Sequence, residues 1–147
     1  MAAARRPEAG PSSRPLVEKL GFAPGMHIAF IALPQPLAAL RTAADFAERV
    51  DADDWSAPLG HSRFDAIHAF TARHAEIAAH LPALQDAIRR DGMIWVSWPK
   101  KASKVSTDVT DAVVRDAALA LDLVDVKVAA VDATWSALKL MIRKDRR

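Results

Sequence analysis

The sequence has no cysteine. That excludes disulfides, thiol nucleophiles and iron–sulfur ligation, and it suits a reducing compartment, so a cytoplasmic location is expected. No apolar run approaches the ~20 residues of a membrane helix, and no membrane partner is expected. The opening MAAARRPEAGPSSRP lacks the apolar stretch of a secretory signal. Its Pro, Ala and Ser content predicts a disordered tail over 1–14. A phosphate-cradling glycine loop, a paired-carboxylate motif and a Ser–His–Asp arrangement are all missing.

A basic body is missing too. The net charge is +2, but Arg5, Arg6 and Arg14 against Glu8 give +2 at one end, and RKDRR over 143–147 gives +3 at the other. The body between them is therefore −3, with no basic stripe, and nucleic acid is not expected as the main partner.

What is present is a core. Half of the 147 residues are hydrophobic (51%), enough for one α/β domain over 15–144, followed by a basic tail at 145–147. PLVEKLGFAPGM predicts a short helix carrying Leu16, Val17, Leu20 and Phe22 and stopped by Gly21. MHIAFIAL (26–33) and FDAIHAFT (64–71) are near-continuous apolar runs, as in strands buried on both faces. LAALRTAADFAERV places Leu37, Leu40, Ala44 and Ala47 at helical spacing, with room for at most a short second strand near Val50. RHAEIAAHLPALQDAIRR predicts a helix that Pro82 kinks or divides in two. Asp91-Gly92 closes it before the strand MIWVSW. DVTDAVVRDAALAL predicts a helix starting near Val109, capped by Thr107 or Asp108. VDVKVAAVD and WSALKLMIRK, joined by a connection too short for a crossover helix, predict an antiparallel hairpin. Strands alternating with helices imply a Rossmann-like three-layer sandwich. Its sheet is mostly parallel, with an antiparallel C-terminal hairpin.

The apolar strand MHIAFIAL, the pair LPALQDAIRRDG and MIWVSW, and the terminal hairpin resemble a reduced, degenerate class I methyltransferase fold. PLVEKLGFAPGM, WVSWPKKASKVSTDVT and VDVKVAAVDATWSALKL resemble the uncharacterised bacterial family called domain of unknown function 3052, over about residues 15–144. That family name implies a fold and no activity. A class I methyltransferase implies a glycine-rich turn after the first strand and an acidic residue ending the second. Here the turn is LPQP, whose Pro34 and Pro36 have no N–H and no access to positive φ. Asp51, Asp53 or Asp54 are available for the acid. The Asn-Pro-Pro-aromatic motif is absent. No cofactor is therefore expected, S-adenosylmethionine included.

Ligands in open parallel sheets bind beyond the carboxyl ends of the strands. There the sequence gathers Trp98, Lys100, Lys101, Ser103, Lys104, Ser106 and Thr107 from WVSWPKKASKVST, and Asp132, Thr134, Trp135 and Ser136 from DATWS. Arg73 and His74 follow the middle strand as an anion donor or acid–base group. As a site, the lysines, hydroxyls and the start of the following helix would hold an anion. As plain structure, Asp132 would pair with a lysine and the tryptophans would pack in the core. His27 and His68 are expected as packed strand residues. His74 and His80 are six residues apart and share no helix face, and no metal site is expected.

Two functions follow. The first is a non-catalytic binding or regulatory module with an anion-binding loop, meeting a small anionic ligand or an acidic protein. The alternative is a small methyltransferase-like or nucleotide-dependent enzyme using an anionic cofactor at the same edge. The LPQP turn favours the first.

Overall fold

The computed structural model describes residues 15–147; the tail expected over 1–14 lies outside the described residues. Helix α1 (Leu16–Leu20) ends where Gly21 takes φ 80°. That left-handed cap is open to glycine without steric cost. Six strands follow: β1 (His27–Ile31), β2 (Glu48–Ala52), β3 (Phe64–Phe70), β4 (Ile88–Pro99), β5 (Leu123–Ala130) and β6 (Trp135–Ile142). Helix α2 (His74–Ala87) links β3 to β4, and α3 (Asp111–Leu119) links β4 to β5. The strands form one sheet in the order β2-β1-β3-β4-β6-β5. β2, β1, β3 and β4 are mutually parallel. β6 runs antiparallel to both β4 and β5, which is the predicted hairpin.

Both faces of the sheet are covered, which explains the continuous apolar strands. One face carries Ala29, Ile31, Ile67, Ala69, Ile94, Val96, Trp98, Leu138 and Leu140 under α2, α3 and the β2–β3 loop. The other carries Ile28, Phe30, Ala66, Phe70, Trp95 and Ala137 under α1 and a 3-10 helix, Gln35–Thr42. Trp95 and Trp98 therefore point to opposite cores, and Trp95 Nε1 donates to the Leu20 carbonyl at 2.8 Å. Among the described residues no helix is long and apolar enough to cross a membrane.

Three local expectations are corrected and one is sharpened. The helix expected over 37–50 is only the 3-10 turn, because the chain turns back to feed β2: Gly25 N–H reaches Asp45 O, and Ala47 N–H reaches Met26 O. The short second strand for which the sequence left room near Val50 is present, with all five residues of β2 in register with β1. Three of those five are charged, and they are paired. Glu48 binds Arg63 and His27, and Asp51 meets Arg49 and Arg41. The Arg63 guanidinium, and secondarily His27, holds the Glu48 carboxyl below its usual range. Helix α2 is not divided at Pro82 but runs through it as one helix, with Pro82 on its exposed side. It stops at Ala87, so Ile88–Arg90 already belong to β4. Finally, α3 is capped by Thr110, whose hydroxyl accepts the Val113 N–H at 3.2 Å. Thr107 and Asp108 are used elsewhere.

Candidate functional site at the carboxyl edge of the sheet

The carboxyl ends of β1 to β5 and the start of β6 share one edge of the sheet. At the end of β1, Ala32 takes φ 57°, a conformation that residues other than Gly, Asn and Asp seldom adopt. Its N–H donates to Ala52 O at 2.9 Å, which locks the first turn to the end of β2. Beyond Ala52 the three acids diverge. Asp51 is in the ion pairs above. Asp54 accepts the Ser56 N–H at 2.8 Å and the Ser56 hydroxyl. Those bonds hold its carboxyl below the usual range. Asp53 is exposed and has no hydrogen bond or ion pair among the described residues. The loop then buries Trp55, 1% exposed, whose Nε1 donates to Phe70 O at 2.9 Å.

At the end of β3, Thr71 is 5% exposed. Its hydroxyl donates to Glu76 Oε1 at 2.5 Å and accepts the Arg73 N–H at 3.1 Å. The β4–α3 loop crosses this connection. Thr107 Oγ1 and the Asp108 N–H both donate to Ala72 O, at 2.8 and 3.3 Å. Asp108 Oδ1 accepts the His74 N–H at 2.7 Å, and Oδ2 lies 3.3 Å from His74 Nε2. A loop from β4 thus caps the helix that follows β3.

The other expected site residues separate into two groups. Lys100 is structural: its N–H binds Thr134 O and its Nζ binds Asp132 O, at 2.8 and 2.7 Å. The Asp132 carboxylate faces the Thr134 and Trp135 N–H groups rather than a lysine. Ser103 donates to Lys100 O. Trp98 is core at 7% exposed and pairs across the sheet with Ser136. Trp135 is half-buried, edge-on to Phe70. Lys101, Lys104 and Ser106 are exposed, with no hydrogen bond from their side chains to any described residue. Lys104 stands at φ 63°. Arg73 is 76% exposed and meets Glu76 at 3.6 Å. Helix α3 starts at Asp111, two residues after the expected Val109, and is capped by Thr110.

Ala32 and the Asp108–His74 contact went unrecognised in the sequence as parts of a site. An alanine carries no mark of a positive φ. Asp108 stood beside two threonines equally able to cap.

His68 is fully buried. Its Nε2 meets Ser97 Oγ at 2.7 Å, its ring stacks on Phe70, and Nδ1 has no partner. Burial pushes its pKa down to about 3, so it is a neutral core residue. It lies below the edge, packed as expected of a strand histidine.

No protein-family model and no curated protein matches the chain. Solved structures do. The magnesium protoporphyrin IX methyltransferase of Synechocystis PCC 6803, solved with S-adenosylmethionine bound, aligns with TM-score 0.61 and 12% identity over 87% of this chain and 74% of its own. An S-adenosylmethionine-dependent methyltransferase from Aquifex aeolicus aligns with TM-score 0.59 and 11% identity, over 87% and 88%. The Burkholderia thailandensis 1,6-didemethyltoxoflavin-N1-methyltransferase, solved with S-adenosylhomocysteine bound, aligns with TM-score 0.57 and 14% identity, over 88% and 75%. These likenesses overturn the expectation against S-adenosylmethionine. That expectation rested on Pro34 and Pro36, whereas the left-handed residue is Ala32, ahead of both. The chain has the Rossmann-like fold of class I S-adenosylmethionine-dependent methyltransferases, mostly parallel with antiparallel C-terminal strands.

Proposed function

We propose that the chain is a small methyltransferase-like enzyme that holds S-adenosylmethionine over the carboxyl ends of β1 and β2, rather than a non-catalytic module. The observation that carries this reading is the arrangement there: Ala32 at φ 57°, tied to Ala52, with the unpartnered Asp53 next in the chain. A left-handed residue bearing only a methyl group lets a ligand come close to the main chain. A free carboxylate ending the neighbouring strand accepts hydrogen bonds from ribose hydroxyls. The cofactor would supply an electrophilic methyl group.

The exposed Arg73, His74, Lys101, Lys104 and Ser106 belong to the methyl acceptor's side of the edge in this reading, and Lys100, Ser103, Thr107, Asp132, Thr134, Trp135 and Ser136 hold the loops beneath it. The WVSWPKK and VDATWS segments keep the resemblance to domain of unknown function 3052 as part of the proposal, and it adds no activity.

Titration calorimetry with S-adenosylmethionine and S-adenosylhomocysteine tests the reading. Saturable binding is expected. Asp53→Asn should weaken it about tenfold, roughly 1.4 kcal/mol. A full chain that binds neither compound returns the non-catalytic module to first place.

A further inference from the structure

We propose that His74 is a proton acceptor for the ligand at this edge, that Asp108 is its positioning residue, and that the ligand carries an acidic O–H or N–H beside a negative charge. This deepens the methyltransferase-like reading, on which the ligand's role as methyl acceptor rests.

Asp108 binds the His74 backbone N–H at 2.7 Å through Oδ1, and its Oδ2 lies 3.3 Å from the ring Nε2. A carboxylate only accepts, so for the ring to bond Asp108 its neutral form must carry the proton on Nε2. Nδ1 keeps its lone pair and has no hydrogen bond. The carboxylate is itself fixed, because the Thr107 hydroxyl and the Asp108 N–H are both anchored on Ala72 O. The contrast is His61, whose ring touches the Asp86 carboxylate far from the carboxyl edge. There the carboxylate meets the ring alone, without a bond to the histidine backbone.

The charge on the two loops that carry His74 and Asp108 selects the ligand. Lys101 and Lys104 lie on the same loop as Asp108, exposed and unpaired among the described residues. Arg73 precedes His74 and is mostly exposed. An anionic ligand gains from all three. The step itself is a proton transfer. The ligand's O–H or N–H bond breaks, an N–H bond forms at Nδ1, and the electron pair stays on the ligand. The resulting imidazolium faces Asp108, and nothing else is consumed.

Long-range proton–nitrogen NMR on the nitrogen-15-labelled full chain tests this, with inorganic phosphate as the anion probe. We expect the His74 ring as the Nε2–H tautomer, and Asp108→Asn should turn it into a tautomer mixture while keeping the helix cap. Phosphate should shift the His74 ring signals saturably, and Lys101→Ala with Lys104→Ala should abolish that shift. Asp86→Asn, changing His61 instead, should leave both results untouched. A His74 ring protonated on Nδ1, an Asp108→Asn ring with unchanged tautomer, or a phosphate response that survives the double lysine variant overturns the proposal. Calorimetry separates the two readings. His74→Gln should bind S-adenosylmethionine as the parent chain does. A parent chain that fails to bind it removes the methyltransferase-like reading and leaves the tautomer result standing.

Discussion

The indole N–H of Trp55 donates to the carbonyl of Phe70 at 2.9 Å, and this bond fastens the β2–β3 loop to the end of the central strand. In a two-layer connection of this length a helix would ordinarily cover the sheet. Here Trp55 and Leu59, both buried, do so from a loop.

Replacing Trp55 therefore separates packing from hydrogen bonding. Trp55→Phe keeps most of the apolar volume and strips Phe70 O of its side-chain donor, so a loss of about 1–3 kcal/mol is expected. Trp55→Ala also opens a cavity and should cost about 3–5 kcal/mol. Urea unfolding monitored by circular dichroism reads both. Equal costs would mean that the bond, and not the ring, is what matters.

Ala32 should invert the usual ranking of substitutions. Ala32→Gly removes a strain of about 1–2 kcal/mol but adds freedom to the unfolded chain, so stability should stay level or rise. Ala32→Val places a branched side chain at φ 57° and should lower the midpoint clearly. A valine variant as stable as the parent would show that this backbone does not hold in solution.

Gly92 is needed for space. A Cβ there would stand 3.0 Å from Arg89 O and 3.1 Å from both Asp65 O and Phe64 O, all main-chain atoms at the bulge where β3 and β4 change register. Gly92→Ala should destabilise by about 1–3 kcal/mol through overpacking, measured by thermal unfolding. No change in melting temperature would contradict the tight approach.

His68 makes stability depend on pH. Its folded pKa, about 3, lies below the ~6.5 of an unfolded histidine. Between those values the unfolded chain takes up the proton and the folded one does not. Stability is therefore complete above about pH 6.5 and falls as pH drops toward 3, with a slope of at most ~1.4 kcal/mol per unit. His68→Gln should lower stability at pH 7 yet flatten this slope. Unfolding curves between pH 4 and 7 decide it, and an unchanged slope would exonerate His68.

Much of the architecture was readable because β1, β3 and β4 are buried on both faces, which leaves an unbroken apolar run. β2 was nearly invisible for the converse reason. As an edge strand it can carry Glu48, Arg49 and Asp51, with Arg63 pairing Glu48 and with Arg41 and Arg49 pairing Asp51. The spacing of Leu37 and Leu40 fits a 3-10 turn as well as an α-helix, and only the need to return the chain beside β1 distinguishes the two. At the edge, the connections were legible from composition, but their division of labour was not. Lys100 and Lys101 are adjacent in sequence, yet one reaches the Asp132 carbonyl and the other faces solvent.

The bonds that join Ala72 and His74 to Thr107 and Asp108 have a dynamic consequence. Neither loop can open without breaking contacts held by the other, so the two connections form one cooperative unit of local unfolding. Their amides, those of His74 and Asp108 among them, should exchange with deuterium at a common rate. A molecule gripping the lysine-bearing loop would slow exchange at the start of α2 without touching it.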